Sequence, residues 1–244
     1  MVKNFIQEFD KYKNMIISKK NFAYARYADG EVKLMNGKSV GQATQAFQSD
    51  GWSCESKMYR LGEDLFKSLA HREPNYYYAI TSPNQSQHDY SFLRNNIKQP
   101  DTNITFADLW INGNYNRFKY FLNNELNEQV YIIASQNGLN KNLGPIKTIG
   151  YYPIPKDCVN YYEVHSESIK QDMKRLAQHN DTLFFISAGP LSEVLIDELY
   201  SENPNNRYID VGSAIDEYVH GKVTRPYMLS GTMYNKEIVE WSTI

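Results

Sequence analysis

The sequence predicts an α/β protein with a Rossmann-like fold, in which a mostly parallel sheet is flanked by helices on both faces. Two observations lead to this class. Short apolar runs typical of buried strands alternate with helical patterns along most of the chain. Turn-forming residues follow most of these runs. Because ligands of such sheets bind at the carboxyl ends of the strands, we expect functional residues in these turns.

The first half of the chain opens with a helical pattern and continues with a strand. Residues 3–18 place apolar side chains at helical spacing, and the apolar run over 22–28 predicts the first strand. Residues 37–53 are rich in Gly, Ser and Gln and predict a loop, either one that closes over a ligand or a plain surface loop. The further elements predicted here are a helix over 55–71, a strand over 76–80, a helix over 86–97 and a strand over 104–107.

The second half repeats the alternation of helices and strands. We find no internal repeat, low-complexity tract or linker, so the chain is expected to form a single domain over residues 1–244. The predicted elements are a helix over 115–126, a strand over 130–134, a short strand over 146–149, a helix over 164–178, a strand over 183–187, a helix over 191–200 and a strand over 207–211.

Composition narrows the class of partner. The chain has a formal net charge of −2, with 22% charged and 41% hydrophobic residues, which is typical of a globular protein and disfavours a nucleic-acid partner. The N-terminus lacks the apolar core of a signal peptide, and no segment reaches the length of a membrane span. We therefore expect a cytoplasmic protein, and the sequence leaves its oligomeric state open.

An acidic segment follows the first predicted strand. Asp29 and Glu31 are separated by Gly30, which would allow a tight turn between the strand and the next helix. Two carboxylates held in this way can share a hard cation such as Mg²⁺ or Mn²⁺ and leave positions open for phosphate oxygens. The alternative is a surface turn with a helix-capping acid.

A second turn connects the strand over 183–187 to the following helix. Gly189 would let backbone N–H groups approach an anion at the helix N-terminus, Pro190 suits the first helical turn, and Ser192 could add a hydroxyl. The segment is neither GxGxxG nor a Walker loop, so an ordinary strand-to-helix turn remains the alternative.

The last predicted strand ends at a third polar segment. Asp210 closes the strand, and Asp216 and Glu217 follow within one helical turn or loop. A carboxylate in this position can accept a proton from an attacking hydroxyl, unless both acids are simply solvated. Arg225 could hold a diphosphate through two parallel hydrogen bonds, unless it is an ordinary surface arginine.

Three segments together resemble the GT-D-type glycosyltransferases. Residues 26–31 resemble the R-[FY]-G-D-G-E segment of that family, residues 187–195 its strand-G-P-helix segment, and residues 208–213 its closing D-x-G segment. The chain departs from the pattern at Ala28, where the family usually has glycine, and at Ser213, where some members have histidine.

The resemblance implies a metal-dependent glycosyltransferase that moves a sugar from a nucleotide diphosphate sugar to a hydroxyl of a glycan or glycosylated acceptor. It implies that Asp29 and Glu31 hold Mn²⁺ or Mg²⁺ against the donor diphosphate. Asp216 is our candidate base for an inverting reaction, with Glu217 as its substitute; a retaining reaction needs neither. The other residues expected to contact the donor are Arg26, Gly189, Ser192, Asp210, Arg225, Trp110 and Asn112.

Two other functions are compatible with the same residues. A metal-dependent phosphohydrolase or nuclease would use Asp29 and Glu31 with water in place of a sugar acceptor. A non-catalytic nucleotide-binding module would need Gly189 but not the acids.

Overall fold

The computed structural model describes residues 2–38, 60–229 and 240–242. The predicted loop over 37–53 lies almost wholly outside this range. The strands are β1 (Val2–Asn4), β2 (Phe22–Tyr27), β3 (Tyr76–Ile80), β4 (Ile104–Phe106), β5 (Val130–Ser135), β6 (Thr148–Ile154), β7 (Leu183–Ser187), β8 (Arg207–Asp210) and β9 (Glu240–Ser242). The α-helices are α1 (Phe5–Ile17), α2 (Asp29–Met35), α3 (Arg60–Lys67), α4 (Gln87–Asn96), α5 (Tyr115–Asn124), α6 (Cys158–Leu176), α7 (Ser192–Glu202) and α8 (Asp216–His220).

Seven strands form one sheet in the order β4-β3-β2-β8-β7-β5-β6, and every neighbouring pair is parallel. All residues of β3 and β8 are buried, so both faces of the central sheet are covered. The predicted α/β, Rossmann-like class is confirmed. β1 and β9 pair separately as a short antiparallel ribbon.

Aromatic side chains fill much of the core. Tyr12 of α1 packs edge-on against Tyr24 of β2 and Tyr77 of β3, with ring centroids 5.2 Å apart in both pairs. Such rings bury a large apolar area and hold the helix at a fixed angle on the sheet. Much of the chain's tyrosine content therefore serves packing.

The predicted elements differ from the structure mainly at the β6 edge of the sheet. β6 covers Thr148–Ile154, whereas the sequence predicted a short strand over 146–149. Its Gly150 and Pro153 interrupt the apolar pattern, and an edge strand tolerates both because one side of it is unpaired. α6 begins at Cys158, six residues before the predicted helix over 164–178, because Asp157 caps it through the Asn160 amide.

Strand order places a crevice beside β2. The chain passes from β2 outward to β3 and β4, while β8, β7, β5 and β6 lie on the other side of β2. This reversal of direction between β2 and β8 is a topological switch point, where ligands of open parallel sheets bind. In the described parts of the chain, no helix has both the length and the apolar character needed to cross a membrane.

Candidate functional site

A cleft of about 480 Å³ opens at the carboxyl ends of the strands. Its walls come from Arg26 near the end of β2 and from residues at or after the ends of β5, β6, β7 and β8. Among the described residues that line it, Asp216 is the one carboxylate. Such a lining favours an anionic ligand. The cationic side chains of the lining are Arg26, Lys141, Lys156, Lys222 and Arg225.

Arg26 is fixed at one end of this cleft by β8. Its Nε donates to Asp210 Oδ2 at 3.2 Å, and Asp210 Oδ1 accepts from the Gly212 amide at 2.6 Å. Gly212 has φ +51°, and a Cβ there would lie 2.9 Å from Cζ of Arg26. The guanidinium therefore lies against the bare backbone of Gly212, a position that a side chain would block.

Two further carboxyl groups lie close to Arg26. Burial raises the pKa of Glu31 and, together with the charges of Asp210 and Glu31, raises that of Glu193 well above its ordinary range. Burial alone would lower the pKa of Arg26, but the charges of Asp210 and Glu31 outweigh it and hold that pKa above its usual value. The raised pKa of Glu193 favours the neutral form of its carboxyl group beside Asp210 and Glu31. We call Arg26, Asp210, Glu31 and Glu193 the arginine end of the cleft.

The two acids predicted to hold a metal lie in the first turn of α2, not in a separate tight turn. The side chain of Asp29 is 68% exposed and pairs with Lys33 at 2.5 Å. Glu31 is buried, and its Oε2 accepts from the Ala28 amide at 2.7 Å, as in a helix-capping box. Gly30 does not adopt a positive φ, so the bend that the sequence suggested for it is absent.

Asp29 and Glu31 supply two carboxylates near the start of α2, and neither belongs to the described lining of the cleft. Mg²⁺ is often bound by one or two carboxylates together with substrate phosphates. No group of three or more His, Cys, Asp and Glu side chains in the described ranges is arranged to hold a metal. Asp29, in the first turn of α2, is the exposed carboxylate of the pair, and the buried Glu31 lies two residues further along the same turn.

The turn between β7 and α7 borders the cleft as predicted. Gly189 has φ +59° and begins a 3-10 turn that leads into α7. Gly189, Ser187 and Ala188 all line the cleft. Ser192 does not, because its buried hydroxyl accepts from the Ala188 amide at 2.9 Å and so holds the turn in place. The Ser192 hydroxyl therefore supports the turn and does not make the predicted contact within the cleft.

The two candidate bases differ in environment. Asp216 lines the cleft, is 6% exposed, and accepts a 2.7 Å hydrogen bond from the buried Thr224 hydroxyl. Glu217 instead accepts from Lys119 Nζ at 2.9 Å and from Tyr115 Oη at 2.8 Å. The Lys119 hydrogen bond lowers the pKa of Glu217. Of the two acids, Asp216 is the one positioned to meet a ligand in the cleft.

Of the remaining predicted donor contacts, only Arg225 borders the cleft. Asp210 is 1% exposed and acts through Arg26. Trp110 is 1% exposed and packs in the core 5.4 Å from the ring of Tyr24, so its ring is not available to stack on a nucleoside. Asn112, with φ +50°, donates to the buried Asp108 at 3.2 Å beside β4. Both residues lie on the β4 side of β2 and outside the described lining of the cleft.

Sequence reasoning missed three lysines of the cleft. Lys141 follows β5, Lys156 follows β6, and Lys222 follows α8; all three are exposed. Lys141 also donates to the Val219 carbonyl at 3.3 Å, which joins the loop after β5 to α8. Correct placement of β6 would have identified Lys156 as a strand-end residue. We call Lys141, Lys156 and Lys222 the lysine end of the cleft.

Comparisons with known proteins support the fold. No family model matches the sequence, and no curated protein matches it. The structure is similar to a solved structure of the domain of unknown function 1792, which is described as having a distinct glycosyltransferase fold. The TM-score is 0.52 at 16% sequence identity, and the match covers 88% of this chain and 79% of the other. This chain therefore has a glycosyltransferase-like fold.

Proposed function

We propose that this protein is a glycosyltransferase that moves a sugar from a nucleotide diphosphate sugar to a hydroxyl of a glycan or glycosylated acceptor. The observation that carries the proposal is the cationic cleft at the switch point of a glycosyltransferase-like sheet. Negative charge develops on the leaving nucleoside diphosphate, and cations fixed around that position lower the barrier.

The donor diphosphate is proposed to lie between the arginine end and the start of α7. Arg26 is held by Asp210, so its guanidinium loses little freedom when it binds an anion. Gly189 leaves room for phosphate oxygens beside the backbone amides of its turn. Arg225, which also lines the cleft, adds positive charge.

The metal ion is proposed to be Mn²⁺ or Mg²⁺, held by Asp29 and Glu31. When bound, it supplies positive charge against the diphosphate oxygens. The exposed Asp29 is free to exchange Lys33 for a cation, because an exposed ion pair contributes little free energy. Glu31 already caps α2, so its carboxylate is held in a fixed position two residues further along the chain than Asp29.

Asp216 is proposed to accept the proton of the acceptor hydroxyl if the reaction inverts configuration. It is the carboxylate of the described cleft lining, and Thr224 fixes one of its oxygens. The other oxygen is then oriented by that bond, as general base catalysis requires. If the reaction retains configuration, no base is required at this position.

The proposal is tested by incubating the whole chain with a panel of nucleotide sugars, with and without Mn²⁺. We expect sugar-dependent release of nucleoside diphosphate, and slow hydrolysis of the donor when no acceptor is present. Cleavage of plain nucleotides or oligonucleotides would instead identify a phosphohydrolase or nuclease. Binding of nucleotides without turnover would identify a binding module.

The metal ligands are tested with a matched pair of variants. Asp29→Asn is expected to lower kcat/KM by at least about tenfold and to raise the Mn²⁺ concentration needed for half-maximal activity. The control is Asp10→Asn, because Asp10 is also an exposed helical acid paired with a lysine, Lys13. Equal activity in the two variants would show that Asp29 does not bind the metal and is only an exposed acid on the surface of α2.

A further inference from the structure

The cleft carries more positive charge than a donor diphosphate needs. A nucleotide diphosphate sugar has about two negative charges, one for each phosphate. The arginines Arg26 and Arg225 match these two charges, and the two charges of the proposed metal ion are offset by its ligands Asp29 and Glu31. The three lysines of the lysine end add three further positive charges, and the described cleft lining offsets them with the single carboxylate of Asp216.

Strand order separates two of these lysines, Lys141 and Lys156, from the arginine end. Arg26 lies on β2, and Lys156 follows β6 at the edge of the sheet. Four inter-strand spacings lie between these strands, which amounts to roughly 19 Å. Lys141 follows β5, one strand closer to the centre. A diphosphate bound at Arg26 is much shorter than this separation, so it does not extend to the Lys156 end of the cleft.

The lysine end also has a defined framework. Lys141 donates to the Val219 carbonyl near the end of α8, and Asn137 lies 3.2 Å from His220 Nδ1 at that end. These contacts join the loop after β5 to the helix that leads into Lys222. The lysines therefore come from elements that are packed together, and their exposed ammonium groups can gather around one anion.

We propose that the lysine end binds a second anionic group, a phosphate or carboxylate carried by the acceptor or by the transferred sugar. This inference rests on the proposed function, because it presumes that a donor diphosphate occupies the arginine end. Lysine suits such a group, since its ammonium is a compact point charge on a long stem and meets anions of varied geometry.

The test compares two triple variants of equal charge change. K141Q/K156Q/K222Q removes the lysine end, while K98Q/K147Q/K174Q removes three exposed lysines outside the cleft lining. Calorimetry with Mn²⁺ first finds the nucleoside diphosphate that binds the unmodified chain. A hexose 6-phosphate is then titrated in its presence, with the neutral hexose as a reference. A second arm compares a nucleotide uronate with the matching nucleotide hexose.

We expect the first triple variant to bind the hexose phosphate, or to prefer the uronate donor, about tenfold less well than the control triple variant. Its affinity for the nucleoside diphosphate is expected to stay within about twofold. Loss in the hexose phosphate arm places the anionic group on the acceptor, and loss in the uronate arm places it on the transferred sugar.

Two results would overturn the inference. Equal weakening of nucleoside diphosphate binding would assign the lysines to the donor diphosphate, and no lysine dependence in either arm would leave them as solvated surface charges. A chain that binds no nucleoside diphosphate contradicts the proposed function instead. In that case, hexose phosphate binding that is lost with the three lysines would still identify an anion site.

Discussion

The two ends of the cleft present positive charge in opposite ways. At the arginine end, Arg26 is 20% exposed and bound to an almost fully buried Asp210. At the lysine end, three exposed side chains reach the cleft from separate loops. A buried, paired cation is held in one orientation, whereas exposed lysines adjust to their ligand. The comparison indicates that the arginine end is built for one fixed group and the lysine end for a variable one.

Removing Arg26 is expected to have the largest effect. Arg26→Met leaves the buried carboxyl groups of Asp210 and Glu31 without their cation, which should lower the free energy of unfolding by roughly 3–5 kcal/mol. Urea denaturation at pH 7 measures this loss, and nucleoside diphosphate binding should disappear as well. The loss should shrink at low pH, where the Glu31 carboxyl is protonated. The lysine-end triple variant should change stability by less than about 0.5 kcal/mol, and a larger change would break the contrast between the two ends.

A pair of glycine substitutions isolates the contact that orients Arg26. Gly212→Ala and Gly221→Ala both place a side chain at positive φ, which costs roughly 1–2 kcal/mol. Only at Gly212 does the new Cβ meet Arg26, 2.9 Å from its Cζ, whereas a Cβ at Gly221 has nothing within 4 Å. We therefore expect about 1 kcal/mol of additional destabilisation in Gly212→Ala, with weaker nucleoside diphosphate binding in that variant alone. Equal effects on binding would show that the guanidinium orientation is unimportant.

Substitution of Thr224 tests whether the hydrogen bond that holds Asp216 in place matters for catalysis. Thr224→Val removes the hydroxyl that donates to Asp216 and should lower the free energy of unfolding by about 1–3 kcal/mol. In an inverting enzyme it should also lower kcat by roughly tenfold and shift the acid limb of the pH profile, with KM for the donor little changed. Thr224→Ser keeps the hydroxyl and should restore both. An unchanged kcat in Thr224→Val would argue against Asp216 as the base.

His71 provides a comparison outside the cleft, and we expect the smallest effect there. Burial lowers its pKa, but the hydrogen bonds that the ring donates to Asp197 at 2.5 Å and to Glu73 at 2.9 Å outweigh burial and raise the pKa above the ordinary 6.5. The folded state therefore binds this proton more tightly than the unfolded state. The resulting stability is fully present below pH 6.5 and is lost as the pH rises through the raised pKa.

Unfolding curves measured across that pH window test the His71 prediction. His71→Gln should remove roughly 1 kcal/mol or less of pH-dependent stability. His165→Gln, at an exposed histidine whose ring centroid lies 4.7 Å from that of Tyr161, is the matched control. Neither variant should alter nucleoside diphosphate binding, because neither residue lines the cleft. A change in nucleoside diphosphate binding in either variant would show that the cleft is coupled to the substituted histidine.

Most of the elements were predictable because helices and strands leave a local signature. The predicted strand over 22–28 ends within one residue of β2, and the strand over 183–187 matches β7. Prediction was least accurate where the local signal was weak, as at the partly exposed edge strand β6. Because the predicted strand ended at residue 149, Lys156 was not identified as a strand-end residue.

The candidate site was predictable only in part. Gly189, Asp216, Arg225 and Arg26 do line the cleft, and each lies in a turn or strand end that the sequence singled out. Trp110 was misplaced because an aromatic residue after a strand has the same local pattern whether it faces a ligand or the core. Ser192 and Asp210 lie in segments that the sequence singled out, but their side chains bond to the Ala188 amide and to Arg26. The local sequence does not show which protein group a polar side chain will bond.

By itself, the sequence determined the α/β class, the order of the elements and the polar turns at the strand ends, because periodicity and turn chemistry act over a few residues. Only the tertiary structure decided that Arg26 meets Asp210, 184 positions along the chain, and that Asp29 faces solvent while Glu31 is buried. It also brought together three lysines that no motif connects. Strand order and packing determine these long-range contacts, and both depend on the folding of the whole chain.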